Sequence, residues 1–509
     1  MRGILSASPG AGRVAAAVAL LAVVLTSCSR EPSPSASGAP VLFPYMYKTV
    51  DGQAFHAEWG RLTVPENRER RDSRSIELAF VRLKSTAKQP TAPILLVSGG
   101  PGISGIDAPR DDWSMLLKPL LDVADVIAFD QRGVGSSRPA LDCGKPLDLP
   151  LDVPVTRDMY LQAYLEQSRA CTAYWKGQGV DLAAYHTEAS ADDIDALREA
   201  LRIDTLTLFG SSYGSHLIFS TIRRHGDRIE RAVVMGPEGP DHTVKLPSNI
   251  QKELERIGQA VAKDAVLGRA IPDFAGLVRT VLARLDQAPV VAETTEPKTQ
   301  RTVKITLGSF DLRIVTAQGL GSSSFIRQLP AAYYDMANGD FSWLAAQALA
   351  WRRQPARSAM SEQVDCSSGV SDERAARIRN EIPLTLLGDL ADYPGLEACA
   401  AAERHDLGPG FRSPLTSNVP LLFVTGTLDG RTPPSNAEEM LPGLPNGHHI
   451  IVEFGTHSTR ENIFTLAATR EATIGFLKGG SVTLTSASLP PLEFARPVTL
   501  GAAPPKTAR

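Results

Sequence analysis

The chain has 509 residues, 43% of them hydrophobic and 21% charged, and 53 Lys and Arg residues against 56 Asp and Glu residues leave a formal net charge of −3. This balance excludes a long disordered chain, which needs low hydrophobicity with high net charge, and it argues against nucleic acid as a partner, because phosphate binding needs a strongly basic face. The length allows two or three domains of about 100–200 residues, or one large α/β unit with an insertion.

The N-terminus has the pattern of an export signal. Arg2 and Arg13 form a positive region, residues 14–25 are an apolar run, and Leu25-Thr26-Ser27-Cys28 follows directly, which resembles a bacterial lipoprotein signal. Residues 1–27 are therefore predicted to be removed, leaving Cys28 as a lipidated first residue; a conventional signal peptide with an incidental cysteine is the alternative. Residues 28–45 are rich in Ser and Pro and predict a tether, so we expect an outward-facing lipoprotein of the cell membrane or a secreted protein.

Four cysteines remain without Cys28, an even number in a chain that is expected to meet an oxidising environment. Four cysteines allow three pairings. We prefer the pairing of near neighbours, Cys143 with Cys171 and Cys366 with Cys399, because each bridge then stays inside one predicted unit. Free buried thiols are the alternative.

Residues 46–240 predict the first part of a doubly wound α/β core. Two half-buried strands, at 56–65 and 75–84, indicate an antiparallel opening. The apolar runs that follow are too short for helices. They are also too continuous for strands with one solvent-exposed face, and are typical of parallel strands that are buried on both faces. These runs lie at 94–97, 126–129, 206–209 and 229–235, and helical patterns such as 191–201 alternate with them. We therefore expect a mostly parallel sheet with right-handed crossovers.

The alternation stops at residues 241–418, which predict an inserted and mainly helical cap. Amphipathic helices are indicated at 250–266, 274–285 and 340–352, with a hairpin-like stretch near 290–314. Strand patterns resume at 420–425 and 450–454, followed by a helix at 461–477, so residues 419–480 complete the core. Residues 481–509 predict an extension that is either packed on the surface or frayed.

A nucleophile motif follows the strand at 206–209. Gly210-Ser211-Ser212-Tyr213-Gly214 fits G-x-S-x-G, and a helical pattern comes directly after it. This context predicts a sharp strand-to-helix turn that exposes the Ser212 hydroxyl at a helix N-terminus. A Gly/Ser turn without a catalytic role is the alternative.

A serine hydroxyl needs a base and an orienting acid to act as a nucleophile, and the order Ser, Asp, His occurs here. Asp429 follows the strand at 420–425, and His457 follows the next strand. The carboxyl ends of parallel strands meet at one sheet edge, so both side chains are expected beside Ser212. His448 and His449 precede the last strand, at the opposite edge.

The oxyanion hole is predicted in Ser98-Gly99-Gly100-Pro101-Gly102, directly after the strand at 94–97. Glycines let the backbone approach a substrate closely and turn N–H groups toward a developing oxyanion. The backbone N–H groups of Gly100 and Tyr213 are the expected donors.

With these motifs the chain resembles the serine exopeptidases of the α/β-hydrolase fold that include proline iminopeptidases and tripeptidyl aminopeptidases. The Gly99–Gly102 loop, the segment 130–137 and the G-x-S-x-G motif are similar to segments of that family, and residues 413–479 are similar to its tripeptidyl aminopeptidase-like C-terminal part. The resemblance implies an α/β-hydrolase fold with a cap. One departure is Thr456-His457-Ser458, where many relatives have Gly-His-Gly. Asp130 and Arg132 are assigned to a structural turn and its ion pair.

Peptide hydrolysis near the N-terminus of a substrate also requires carboxylates that hold an α-ammonium group. Glu238 and Asp241 follow the strand at 229–235, at the junction of sheet and cap, and Glu238 is the first choice. The alternative for both is a solvated turn residue or a residue that hydrogen-bonds the base of the cap.

The sequence thus predicts an exported serine hydrolase, an aminopeptidase that acts on short peptides through an acyl-enzyme. No metal or other cofactor is expected, because H-E-x-x-H does not occur and acyl transfer at such a site needs no ion. A carboxylesterase on the same triad and a catalytically silent binding lipoprotein are the alternatives. The expected partners are peptide substrates and, through the lipid anchor, a membrane; the length of peptide released and the oligomeric state do not follow from the sequence.

Overall fold

The computed structural model describes residues 40–500, except residues 112, 356 and 404. The predicted signal peptide, the lipidation site Cys28 and most of the tether lie outside the described residues, as do residues 501–509. These predictions therefore stay predictions.

A ten-stranded sheet in the order β1-β2-β3-β5-β4-β6-β7-β10-β11-β12 forms the core, and a separate hairpin pairs β8 with β9. The strands are β1 (Val41–Lys48), β2 (Ala54–Pro65), β3 (Ser75–Leu83), β4 (Ile94–Val97), β5 (Val126–Phe129), β6 (Leu206–Ser212), β7 (Ile229–Pro237), β8 (Val290–Thr295), β9 (Thr302–Leu307), β10 (Leu421–Gly426), β11 (Gly447–Glu453) and β12 (Ser486–Ser488). The pairs β1–β2, β2–β3 and β3–β5 are antiparallel. From β5 through β4, β6, β7, β10 and β11 to β12, neighbouring strands of the large sheet are parallel. The predicted doubly wound sheet is confirmed, and every predicted strand is present.

Fifteen α-helices occur among the described residues. They are α1 (Ser114–Leu121), α2 (Arg157–Gly177), α3 (Thr187–Ala200), α4 (Tyr213–His225), α5 (Pro247–Lys263), α6 (Leu267–Ala270), α7 (Phe274–Gln287), α8 (Ser309–Gly319), α9 (Ser323–Ala337), α10 (Ser342–Arg352), α11 (Ala359–Ser368), α12 (Asp372–Glu381), α13 (Gly408–Arg412), α14 (Pro434–Met440) and α15 (Ala467–Leu477).

Apolar side chains cover both faces of the sheet, which explains the continuous apolar runs. One face packs with α3 and α4 and the other with α1 and α15. A third apolar cluster lies in the cap, where α5, α7, α9 and α10 pack around Ile257, Leu282 and Tyr333. Tyr160 and Tyr164 of α2 belong to this cluster too, so a helix far earlier in the sequence contributes to the cap.

Three details differ from the sequence predictions, and a fourth decides between two predicted alternatives. Strand β1 begins at Val41, inside the predicted tether, because residues 41–48 pair with β2 along its whole length. The predicted helix at 461–477 is interrupted at Leu466, whose backbone is extended, and a π-helical turn (Arg460–Thr465) precedes α15. Helix α2 is present in the structure, although no helix was predicted from the sequence of its residues. The C-terminal extension adds β12 beside β11 and buries Phe494, so the packed alternative is the observed one.

Both preferred disulfides are confirmed. Cys143 is bonded to Cys171 and Cys366 to Cys399, with Cα–Cα distances of 5.3 and 5.5 Å. Within the described ranges, none of the helices has the length and apolar character needed to cross a membrane.

Candidate active site

Ser212 stands at the turn between β6 and α4, with φ +54° and ψ −130°. Such a conformation is costly for a residue with a side chain and persists only where the surroundings impose it. The two flanking glycines show how close the chain comes to β4. A Cβ on Gly214 would lie 2.2 Å from the carbonyl oxygen of Val97, and one on Gly210 would lie 2.8 Å from the same atom. The small residues of the motif are therefore a steric requirement.

Asp429 and His457 meet at the carboxyl ends of β10 and β11, as the sequence predicts. His457 Nδ1 lies 2.8 Å from Asp429 Oδ2, and the Asp429 side chain is fully buried. Three further donors fix the carboxylate: the backbone N–H groups of Arg431 and Thr432 and the Thr432 hydroxyl. Burial opposes ionisation of Asp429, but the adjacent His457 ring and these hydrogen bonds outweigh it and hold the pKa of the Asp429 carboxyl below its usual value.

Ser212 and His457 line one cleft of about 450 Å³, so the structure brings all three predicted triad residues to the same sheet edge. Two other histidines, His216 and His449, are not among the described residues that line this cleft. His216 is buried in α4 with Nδ1 3.0 Å from the carbonyl oxygen of Gly239. His448 and His449 lie inside β11 and do not precede it as predicted, and His449 Nε2 is 2.8 Å from Thr425 Oγ1 of the neighbouring strand β10.

The predicted oxyanion loop packs directly against Ser212, because β4 and β6 are neighbours with Val97 opposite Gly210. A Cβ on Gly99 would lie 3.2 Å from Ser212 Cβ, and Gly100 adopts φ +111°, which favours glycine. The Tyr213 N–H is the first of helix α4 and therefore has no acceptor within the helix. The residues of both predicted donors thus adjoin Ser212, Tyr213 along the chain and Gly100 in the same cleft.

Asp130 and Arg132 have the structural roles that the sequence indicated. The Asp130 carboxylate accepts hydrogen bonds from Ser104 Oγ and the Ile106 N–H, which anchors the segment that follows the oxyanion loop. Arg132 forms a fully buried, two-pronged ion pair with Asp193 of α3.

A second cavity, of about 430 Å³, extends from Ser212 and Gly100 into the cap, and we call it the cap cavity. Aromatic and charged side chains from α2, α11 and the segments near 245 and 393 form its walls. Among the described residues these include Tyr160, Tyr164, Glu238, Lys245, Arg357, Glu362, Asp365, Asp392, Tyr393 and Arg431. Four carboxyl groups and three cations therefore surround a space that reaches the predicted nucleophile.

Glu238 lies in the wall of the cap cavity but already has a cationic partner. Its Oε2 is 2.8 Å from Lys245 Nζ, and both side chains are largely buried. Burial opposes ionisation of Glu238, but Lys245 and then His216 outweigh it and hold the pKa of the carboxyl below its usual value. Asp241 is not among the described residues that line the cap cavity. Its two carboxylate oxygens accept hydrogen bonds from the N–H and the hydroxyl of Ser371, at the start of α12.

Residues 92–458 match a family model described as alpha/beta hydrolase fold, and this range contains Ser212, Asp429 and His457. The chain belongs to the α/β hydrolase fold family. The predicted α/β-hydrolase fold is thereby confirmed, and the large, mostly parallel sheet agrees with it.

Three comparisons with known proteins give more detail. The chain is 32% identical over 191 residues to serine protease Hip1 of Mycobacterium tuberculosis, which is 36% of each chain. It is 29% identical over 207 residues to the tripeptidyl aminopeptidase of Streptomyces lividans, 36% of this chain and 37% of that one. These matches span about a third of the length of the curated relatives. Among solved structures, an esterase from Thermogutta terrifontis aligns at 15% identity over 82% of this chain and 97% of that chain, with a TM-score of 0.33.

Most side chains that shape the cap cavity were not found by sequence reasoning. Lys245, Arg357 and Tyr393 lie in segments with no motif, and only the fold brings them together. Tyr160 and Tyr164 carried a detectable signal, because residues four apart on a helix share one face, but α2 itself was not recognised.

Proposed function

We propose that this protein is a serine hydrolase that cleaves short peptides near their N-terminus. The observation that carries the proposal is the position of Ser212, which lies beside the His457–Asp429 pair and also borders the cap cavity. An exopeptidase needs a reactive group beside a pocket that receives the end of a peptide, and Ser212 borders the cap cavity. The names of the two relatives, serine protease Hip1 and tripeptidyl aminopeptidase, agree with peptide hydrolysis.

In the proposed reaction, Ser212 Oγ attacks the carbonyl carbon of the scissile bond while His457 Nε2 takes its proton. Asp429 holds His457 in the tautomer that leaves Nε2 free to accept, and it stabilises the imidazolium that forms. The N–H groups of Gly100 and Tyr213 stabilise the oxyanion. His457 then returns the proton to the leaving amine as the C–N bond breaks. Water, activated by the same histidine, releases the acyl group from Ser212.

The charges in the cap cavity favour a peptide over a simple ester as the substrate. A free peptide brings an α-ammonium group into the cavity, where four carboxyl groups outnumber three cations and a carboxylate can share its charge with the incoming ammonium. An acyl ester has no such charge and therefore gains nothing from these carboxyl groups. A carboxylesterase remains the second candidate, because the triad chemistry is the same. A silent binding protein is disfavoured, since binding alone does not need Ser212, Asp429 and His457 together.

For the α-ammonium contact we choose Glu238 over Asp241. Glu238 borders the cap cavity with Ser212, whereas Asp241 has both carboxylate oxygens occupied by Ser371. The ion pair with Lys245 uses Glu238 Oε2 and keeps the carboxylate ionised inside the protein. An incoming ammonium would share this carboxylate with Lys245.

Glu238→Gln tests the choice. The substitution keeps the size of the side chain and removes its charge, so kcat/KM for free-amine peptides is expected to fall roughly 10- to 1,000-fold, equivalent to about 1.4–4 kcal/mol. Activity on small acyl esters should stay close to the wild-type value. The kcat/KM values for chromogenic peptides with free and acylated N-termini, measured beside the activity on p-nitrophenyl acetate, test both expectations.

The matched control is Glu439→Gln, which removes an acid of similar length that pairs with His242 outside the cap cavity. Equal losses on peptides and esters in Glu238→Gln would mean that Glu238 supports the fold. No loss on either substrate would move the amine contact to Asp365 or Asp392 in the same cavity. A wild-type preference for N-acylated peptides or esters would overturn the aminopeptidase assignment and favour the esterase.

We also propose that the protein is exported and anchored by a lipid on Cys28. The proposal is supported by the N-terminal sequence and by the two disulfides, which persist in oxidising compartments. Cys28→Ser should convert a protein that partitions into detergent into one that is soluble or unprocessed. Phase partitioning of the two proteins gives the result, and wild-type protein found wholly in the aqueous phase would support ordinary secretion instead.

A further inference from the structure

Glu253 is a buried carboxyl group of cap helix α5 that the proposed reaction does not use. Only 1% of the residue is exposed, although a glutamate usually reaches solvent. Its two oxygens accept hydrogen bonds from two backbone groups of different segments: Oε2 from the Gly430 N–H at 2.9 Å and Oε1 from the Gly321 N–H at 3.2 Å. The side chain is therefore held at both oxygens.

Both backbone partners adjoin the triad. Gly430 directly follows Asp429, so the first hydrogen bond fixes the loop that carries the acid. The carbonyl oxygen of Gly321 accepts the backbone N–H of His457 at 3.1 Å, so the second hydrogen bond fixes the residue that holds the histidine backbone. One carboxyl group thus connects the supports of Asp429 and His457.

The contact leaves little space for adjustment. A Cβ on Gly430 would lie 2.3 Å from Glu253 Oε2. Gly321 adopts φ +96°, and a Cβ added to it would lie 3.2 Å from His457 Cβ. Both glycines are required where they stand, because a side chain at either would displace Glu253 or His457. Helix α5 makes a second contact with the same loop, since Arg256 Nη1 donates to the carbonyl oxygen of Thr427 at 2.6 Å.

We propose that Glu253 is a positioning residue of the active site, which aligns Asp429 with His457 by binding the Gly430 and Gly321 N–H groups from the cap. The inference rests on the proposed triad. It also gives the cap a role in the chemical step in addition to forming the substrate cavity, since α5 belongs to the cap and the triad to the core. Catalysis is sensitive to such support, because a displacement of about 1 Å can cost about 100-fold in rate.

The electrostatic surroundings agree with a role in alignment. Burial, and then the negative charge of Asp429, raise the pKa of Glu253 to about 8, while the Gly430 and Gly321 hydrogen bonds and Arg431 act in the opposite direction. The charge state of Glu253 is therefore coupled to that of Asp429.

The test compares Glu253→Gln and Glu253→Ala with the wild-type enzyme. Glutamine keeps the size of the side chain and one acceptor oxygen, but it turns an amide N–H group toward the other backbone donor, so kcat should fall about 10-fold. Alanine removes both acceptors, and kcat should fall about 100-fold. KM should stay within about twofold, because Glu253 is not among the described residues that line the cap cavity. Peptides and p-nitrophenyl acetate should lose activity in the same proportion, unlike in Glu238→Gln.

Glu255→Gln is the matched control, since Glu255 lies on the same helix, is exposed and contacts Gln251. A fluorophosphonate gives an independent readout, because its rate of reaction with Ser212 depends on triad alignment and not on peptide binding. Wild-type kcat and labelling rate in Glu253→Gln, or a loss confined to the KM of peptides, would overturn the proposal. If the alanine variant fails to fold, the glutamine variant alone decides. Absence of labelling in the wild-type enzyme would instead contradict the serine hydrolase assignment.

Discussion

Ser212→Ala is expected to abolish fluorophosphonate labelling and to remove nearly all turnover of peptides and esters. Without the hydroxyl no acyl-enzyme forms, and the remaining groups supply only oxyanion stabilisation and binding. Loss of a nucleophile of this kind costs on the order of 10⁶ in kcat. The fold should be unaffected, because alanine is smaller and the positive φ of Ser212 is imposed by the crowding of β4 against the turn.

Ser220→Ala is the control for this prediction. Ser220 lies two turns further along α4, and its buried hydroxyl has no hydrogen-bond partner in the described part of the chain, so its loss should leave both labelling and turnover unchanged. Intact-mass measurement after labelling gives the stoichiometry. Undiminished labelling of Ser212→Ala would show that another residue is the nucleophile.

Asp429→Asn should have the second largest effect, a loss of about 10⁴ in kcat with KM little changed. Asparagine can donate an N–H toward His457 Nδ1, which favours the tautomer that carries its proton on Nε2, where the base must be free. The Thr432 hydroxyl, 2.9 Å from His457 Nδ1, cannot replace the missing charge. Because the pKa of Asp429 lies below its usual value, the wild-type charge persists at every pH above the acidic range, and the loss should be seen throughout.

The kcat and KM of Asp429→Asn are best measured from pH 5 to 9, beside the surface variant Asp227→Asn, whose side chain is 77% exposed. The control should match the wild-type enzyme. Fluorophosphonate labelling of Asp429→Asn should be slow but present, since Ser212 is intact. A loss smaller than about tenfold would mean that another carboxyl group orients His457.

The sequence alone was enough for the sheet and for the chemical groups at its edge. Buried parallel strands appear as short continuous apolar runs, and β4, β6, β10 and β11 all lie where these runs occur. Each proposed catalytic segment directly follows one of these strands. Since parallel strands end at one edge, chain order predicted that Ser212, Asp429 and His457 would meet. The local cysteine pairing also agreed with the structure.

Local sequence did not reveal strands whose pattern is weak or whose partner is distant. Strand β1 follows a Ser- and Pro-rich stretch and appears only because β2 offers a free edge with which it pairs over eight positions. Helix α2 has no strong apolar stripe of its own. It is stabilised by packing its tyrosines into the cap cluster, which is a tertiary effect.

The tertiary structure alone decided how charged side chains are paired around the site. The sequence made Glu238 the first choice over Asp241 but did not reveal the partner of either. In the structure Glu238 lines the cap cavity and pairs with Lys245, whereas Asp241 accepts hydrogen bonds from Ser371 at the start of α12. Glu253 carried no motif, because its partners are backbone N–H groups 68 and 177 residues away. Periodicity and motif spacing describe neighbours along the chain. The state and role of a buried carboxyl group depend on which distant segments surround it, and only the fold brings those segments together.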